Sequence, residues 1–284
     1  MAPDIREIQQ VGLGILLDVD RVCRKHNIRY SLYCGTLLGC IRHKGFIPWD
    51  DDIDIVMDLK NYRRFAEVYP KEAGSDYELS VPFKKDEPVI WLKVYNKNTT
   101  YSHKKQILLD CSRGASIDIY PMIGEWKVLP RLQSLLILGA RAFCVYDSYK
   151  LSGFKLEGSQ RLLKICAVLP RGLRLKLSKL FIRLACKDPD RAENIGSIDA
   201  VKFSGKFKRS DWKEFIDGEF EGRTFPIPAE YNRILTICYG YYMQLPPENM
   251  RHKHYDEEDS HIIDMKKGYR EYREEYRKMQ EQKS

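Results

Sequence analysis

The sequence predicts a mixed α/β fold of the α+β kind, followed by a basic helical region and a C-terminal extension. Three observations carry this reading: short strand-like runs alternate with helical periodicity over residues 1–126, four aspartates crowd the start of one strand, and residues 127–190 are rich in Leu, Lys and Arg. The organisation expected is therefore a core over 1–126, a basic helical region over 127–190, and a segment over 191–284 that completes the site and ends in a charged tail.

Residues 4–26 carry helical periodicity, with Asp4 as N-cap and Ile8, Val11, Ile15, Val19 and Val22 on the inward side. Ile28 to Cys34 predicts a strand, Gly35-Thr36 a tight turn, and Leu37 to His43 a short helix with Gly45 as its C′ residue. Asn61 to Tyr69 predicts a helix ended by Pro70, and Tyr77 to Val81, Val89 to Tyr95 and Ala115 to Pro121 predict strands. Leu173, Leu177, Leu180, Phe181 and Leu184 recur on one helical face, expected to pack inward, beside a stripe of Lys176, Lys179, Arg183 and Lys187. From Tyr269 onward the mixed-sign tail predicts a frayed surface helix.

Composition narrows the function classes. An apolar content of 43% is ordinary for a globular chain. Eight cysteines without a C-x-x-C pair predict reduced, mostly buried thiols rather than a disulfide framework or a zinc site, as in a cytoplasmic protein. Met1-Ala-Pro-Asp leads straight into a charged helix, so no secretory leader is expected, and no apolar run approaches the roughly 18 residues of a spanning helix. Between Lys127 and Lys187 thirteen Lys or Arg face two acids, a local net charge of +11 in a chain of net +8; the rest is acidic by 3. The bland reading of this segment is a solvated rim on packed helices; the sharper one is a surface for anionic lipid or a polyanionic acceptor at the inner face of a membrane.

Ile47-Pro-Trp-Asp-Asp-Asp-Ile-Asp-Ile-Val-Met57 is the informative stretch. Read as a strand over 51–57, its alternation turns Asp50, Asp52 and Asp54 to one face and Asp51, Ile53 and Ile55 to the other. Carboxylates two residues apart on a strand are roughly 6.5 Å apart at the backbone, close enough to converge on a cation. All-oxygen ligands without thiolate or imidazole suit Mg²⁺ or Mn²⁺, which completes its shell with water and substrate phosphates. Upstream, Gly35 lets backbone approach a phosphate, with Thr36 beside it, and the amides of the following helix favour an anion. Arg42, His43 and Lys44 form a basic cluster that either caps that helix or contacts phosphate.

Gly35-Thr-Leu-Leu-Gly39 followed by Arg42-His-Lys-Gly-Phe-Ile-Pro-Trp-Asp-Asp-Asp-Ile-Asp-Ile55 resembles the signature of the LicD family of phosphorylcholine transferases, which has a nucleotidyltransferase-like mixed sheet and fukutin and fukutin-related protein as distant relatives. The resemblance implies that Asp52 and Asp54 are a metal-binding pair and that Asp118, in an Ile-Asp-Ile-Tyr-Pro motif, is the third carboxylate. It also implies that Lys93 touches nucleotide phosphates. Phe220 to Pro228, Tyr239 to Pro247 and Arg251 resemble the family's C-terminal signature, except that Tyr241 stands where an Asp is common. The reaction implied moves a phospho-alcohol unit, foremost phosphocholine from CDP-choline, to a hydroxyl of a glycan or lipid-linked glycan and releases CMP, with Asp50 or Asp118 nearest to act as base. Two other classes fit the pattern less well: nucleotidyl transfer to a small alcohol, RNA or protein, and a non-enzymatic polyanion-binding module. The complete aspartate set argues against the last, and nucleic acid is not the expected partner.

Overall fold

A computed structural model describes residues 4–83, 87, 89–152, 166–199, 207–251 and 261–281. In chain order the elements are α1 (Ile5–Lys25), β1 (Ser31–Leu32), α2 (Cys34–His43), β2 (Asp54–Asp58), α3 (Leu59–Glu72), β3 (Tyr77–Ser80), β4 (Leu92–Asn96), β5 (Thr100–His103), β6 (Ser116–Gly124), α4 (Pro130–Ser152), α5 (Arg171–Ala185), β7 (Asn194–Ser197), β8 (Phe207–Lys208), β9 (Phe215–Phe220), β10 (Arg223–Pro228), α6 (Tyr231–Tyr239), β11 (His261–Asp264) and α7 (Tyr269–Glu281). This is the mixed α/β fold that the sequence predicts.

The Asp4 carboxylate accepts from the Arg6 N–H and opens α1, whose Ile8, Ile15, Leu16, Val19 and Val22 are buried against the sheet. α1 and α3 cover the central strands. The sheet runs β1-β2-β6-β4-β3, with β7 added to β6 and β8 to β7; only the β2–β6 pair is parallel. Apolar side chains at Ile55, Val56, Val94, Ile117 and Ile119 are almost fully buried between the layers. One hydrophobic cluster continues from there to Ile137 and Cys144 of α4, Ile195 of β7 and Phe220, Phe225 and Ile227 of the β9–β10 hairpin.

Four local expectations are corrected. Gly35 and Thr36 lie inside the first turn of α2, not in a turn before it; Tyr33 caps that helix by backbone alone, with no side-chain hydrogen bond. The left-handed residue after α2 is Lys44 (φ 56°), not Gly45. At Gly45 a Cβ would instead meet Glu221 Oε1, displacing the carboxylate that accepts from the Phe46 N–H. α3 continues through Pro70 to Glu72, since the donor that proline lacks is one hydrogen bond near an exposed C-terminal end. The strand expected over 51–57 begins at Asp54.

The helical region departs most. α4 and α5 run antiparallel, tied by Gln133 Nε2 donating to the Ala185 carbonyl, Ser178 Oγ to the Ala140 carbonyl, and Arg174 to Asp147. The buried side chains of α5 are Arg174, Ser178 and Ala185, while Leu173, Leu180 and Leu184 are exposed. The tail helix α7 is docked, not frayed: Tyr269 is buried, and Arg273 donates to the Ile107 and Cys111 carbonyls. Among the described residues no helix is long and apolar enough to cross a membrane, and all eight cysteines are free thiols.

Candidate active site

Strand register assembles the site. Asp54 of β2 is paired with Asp118 of β6, and Asp118 in turn with Lys93 of β4. Register partners on adjacent strands share a face and lie about 4.8 Å apart. A carboxylate, a carboxylate and an ammonium thus stand in one row across the middle of the sheet. Lys93 Nζ is 2.7 Å from Asp118 Oδ1, and the Tyr120 hydroxyl donates to Asp118 Oδ2 at 3.2 Å.

Backbone contacts fix this row. The Asp54 N–H donates to Thr36 Oγ1 at 2.8 Å, the Tyr33 N–H to the Asp54 carbonyl and the Asp118 N–H to the Ile53 carbonyl. Gly35 is explained by close approach, because a Cβ there would lie 2.7 Å from Asp50 Oδ2. The two residues expected to cradle phosphate are therefore tied to the carboxylates themselves, Gly35 by making room for Asp50 and Thr36 by holding the Asp54 backbone. Gln9 Nε2 holds the Asp50 carbonyl from α1 at 2.8 Å.

The charge in the row is strongly unbalanced. Burial, then the neighbouring Asp52, Asp118, Asp199 and Asp50, push the Asp54 carboxyl well above its ordinary range. Burial disfavours the Lys93 ammonium, but Asp118, with Glu87 and Asp52, more than offsets it and raises that group. Burial, with Asp54 beside it, raises the Cys34 thiol well above its usual range, which disfavours a thiolate there.

Two charged residues in this neighbourhood were not anticipated. β7 runs antiparallel to β6, with Ser197 opposite Met122, so the chain beyond it returns toward Asp118 and brings Asp199 among the carboxylates. The Ser197 hydroxyl donates to Asp199. A sequence signal existed: Ser197-Ile-Asp199 repeats Ser116-Ile-Asp118. Arg113 carries no such signal. It is 7% exposed, and among the described residues its Nε and Nη2 have no hydrogen-bond partner, although its charge acts on Glu87 from a distance.

Arg113 shares a cavity of about 210 Å³ with Asp51, Asp52, Lys93, Tyr95, Tyr101 and Asp118. Asp51 and Asp52 thus line one space, where strict alternation would have parted them; the chain is not yet a strand at these residues, and the Tyr101 hydroxyl binds Asp51. A larger cavity, about 500 Å³, lies past the other end of β2 around Val56, Met57 and Trp212. The smaller one is the candidate active site, on its chemistry.

Next to the row lies a buried aromatic cluster that does not line the cavity. Tyr33 packs on Tyr120 and on Trp212, each at 5.9 Å between ring centroids, and Trp91 on Tyr120 at 5.0 Å. Trp91 Nε1 and Trp212 Nε1 are buried without partners, and the Arg141 guanidinium lies 5.8 Å over the Trp91 ring.

The basic cluster at the end of α2 turns toward the C-terminal segment. Arg42 donates to the Tyr242 carbonyl at 2.8 Å, and His43 meets Trp49 edge-on, with the Arg251 guanidinium 5.0 Å over the ring of that same tryptophan. Burial, then Arg42, lower the His43 pKa and so favour its neutral imidazole. Lys44 uses its carbonyl to accept from the Glu221 N–H. His252 and His254, which as sequence are weak metal-ligand candidates beside the reading of solvent-exposed tail residues, lie outside the described residues.

Among the described residues no three His, Cys, Asp or Glu side chains converge as a ready-made cation cage. Mg²⁺ does not require one: one or two carboxylates with water and substrate phosphate suffice. The all-oxygen donors of Asp52 and Asp54, and the mutual repulsion around Asp54, fit such an ion.

A sheet with paired aspartates at the head of one strand and a third on its parallel neighbour is the arrangement of a nucleotidyltransferase domain, and residues 27–131 match the family model described as LicD/FKTN/FKRP, nucleotidyltransferase domain. The chain carries this LicD-family domain and is a LicD-like phosphotransferase. It is 29% identical to the lipopolysaccharide cholinephosphotransferase LicD of Haemophilus influenzae over 268 residues, covering 89% of this chain and 97% of that protein. Human and mouse ribitol 5-phosphate transferase FKRP are each 34% identical over 71 residues, 25% of this chain and 13% of theirs. An uncharacterized protein of Rickettsia typhi is 39% identical over 65 residues, 23% of this chain and 21% of that protein.

Proposed function

We propose that this chain transfers phosphocholine from CDP-choline to a hydroxyl of a cell-surface glycan or lipid-linked glycan precursor, releasing CMP. The observation that carries the reading is the row of Asp54, Asp118 and Lys93 across three strands, with Asp52 beside it. Phosphoryl-group transfer asks a protein mainly to position reactants and to neutralise charge on the transferred and leaving oxygens.

In this reading Asp52 and Asp54 hold Mg²⁺ or Mn²⁺, with Asp118 as a further ligand. The ion supplies electrostatic stabilisation of the diphosphate oxygens. Lys93 bridges Asp118 and the phosphates, and the unpartnered Nε and Nη2 of Arg113 offer the fork that binds a phosphate through two parallel hydrogen bonds. A cavity of about 210 Å³ suits a diphosphate rather than a whole nucleotide, so cytidine and alcohol extend outside it. Support for choline as the alcohol comes from the likeness to the Haemophilus influenzae cholinephosphotransferase over 97% of that protein's length. Asp50 or Asp118 takes the proton of the attacking hydroxyl. Action in the cytoplasm is supported by the eight free thiols.

The test is a product assay with CDP-choline, CDP-ethanolamine, CDP-ribitol and CTP, each with and without Mg²⁺. CMP released with a glycan acceptor from CDP-choline is the expected result. Pyrophosphate from CTP would mean nucleotidyl transfer, and CMP from CDP-ribitol alone would move the chain to a different alcohol.

A further inference from the structure

Nine of the sixteen large apolar side chains exposed among the described residues fall between Val128 and Leu184. Six of these nine lie on the α4–α5 pair itself, within the 127–187 segment that holds the whole positive excess of the chain. The hydrogen bonds from Gln133 to Ala185 and from Ser178 to Ala140 set the antiparallel register, which places Leu135 and Leu138 level with Leu184 and Leu180.

On α5 the leucines at 173, 180 and 184 are spaced as one helical face, and they are 44%, 46% and 53% exposed. Lys176, Lys179 and Arg183, also exposed, form the adjoining stripe. The opposite side of the helix is spent on α4, with Ser178 and Ala185 buried and Phe181 against Gly139 and Phe143. On α4, Leu132, Leu135 and Leu138 are 42%, 63% and 47% exposed, while Ile137 and Cys144 face the core. The leucines of both helices thus turn away from the seam and from the core.

We infer that this face of the α4–α5 pair docks the protein on the surface of an anionic bilayer, leucines entering the headgroup–acyl boundary and Lys176, Lys179 and Arg183 meeting lipid phosphates. An apolar stripe bordered by a basic stripe is what an interfacial helix presents to a charged membrane. A second copy of the chain fits less well, because a two-fold interface would set the same cationic stripe against itself. The inference is independent of which alcohol the site transfers.

Vesicle flotation of the full chain tests it, with phosphatidylcholine alone and with phosphatidylcholine containing a third of phosphatidylglycerol. The chain is expected to float with the anionic vesicles, to stay behind with the neutral ones and to be released by high salt. The double variant Leu180→Glu, Leu184→Glu, at positions already open to solvent, should lose flotation at least tenfold while keeping its melting temperature and its CDP-alcohol turnover in solution. A Lys176→Glu, Lys179→Glu variant should lose it equally. Flotation with neither vesicle, or equal flotation by the leucine variant, overturns the inference. So does a dimer on gel filtration that the leucine variant dissociates, since a second copy would then own the face.

Discussion

Replacing Thr36 by Val separates two roles for this hydroxyl. Thr36 is 4% exposed and its Oγ1 accepts the Asp54 N–H at 2.8 Å, while Asp54 itself is 9% exposed. Val keeps the shape and removes the acceptor, leaving a buried N–H unpaired at a cost of about 1–3 kcal/mol. At about 2–4 °C per kcal/mol for a domain approaching this size, the melting temperature should fall by roughly 4–8 °C at the middle of that range. Thr36→Ser keeps the acceptor and forfeits one methyl group, about 0.8 kcal/mol, so its fall should be about half as large or less. The assay is thermal unfolding without nucleotide or metal, followed by circular dichroism. If Thr36 served only to cradle phosphate, the unliganded Val variant would melt with the parent. A difference of less than ~1 °C, well under what an orphaned buried amide costs, would therefore refute the argument.

Asp52→Asn should abolish turnover with the fold retained; activity above about a tenth of the parent's would exceed what losing an essential ligand allows, because a tenfold rate change is only about 1.4 kcal/mol. Lys93→Met strands the Asp118 carboxylate and should destabilise by about 3–5 kcal/mol in urea melts, with Asp118→Asn in the same chain restoring a substantial part; a double variant no more stable than Lys93→Met would sink the pairing. Arg113→Lys keeps the charge but not the fork, so calorimetry should show pyrophosphate with Mg²⁺ bound about tenfold more weakly or worse, a loss of at least about 1.4 kcal/mol, against no change if the fork is idle. The Glu221 carboxyl is held below its ordinary value of 4.5, first by its hydrogen bond with Arg6, against burial. A depressed folded pKa means that its stabilisation is present above 4.5 and is lost as pH falls through the folded value. Glu221→Gln should accordingly be less stable near neutrality and flatter toward acid, and parallel stability curves for the two proteins would contradict this.

How much of the site could be read in advance depended on distance along the chain. Strands around Asp54, Lys93 and Asp118 were legible because each interrupts a β-branched run, and a lone charge there demands a partner. Their ladder order was not legible, and it is the ladder that puts Lys93 on Asp118. The start of α2 was misread because Tyr33 offers no capping side chain, so the glycine looked like a turn. Periodicity found the stripes of α5 but could not say which one faces inward; Arg174 and Ser178 are buried there because Asp147 and the Ala140 carbonyl receive them. Arg113 and Asp199 came into view only with the cavity and with the return of β7.

β11 lies against β5 from His261 to Asp264, and Arg273 of α7 closes onto the Ile107 carbonyl across 166 residues of chain. A polypeptide emerging from the ribosome forms its early sheet long before this clasp is synthesised, and such distant pairings are slow to close. The loop from β5 to Arg113 must therefore wait, without this clasp, until β11 and α7 have been made. Nascent chains stalled before residue 261 should expose that loop to proteases while the sheet beneath it is already protected. Competence to bind phosphate would then come after the sheet has formed, a built-in delay between having a fold and having a function.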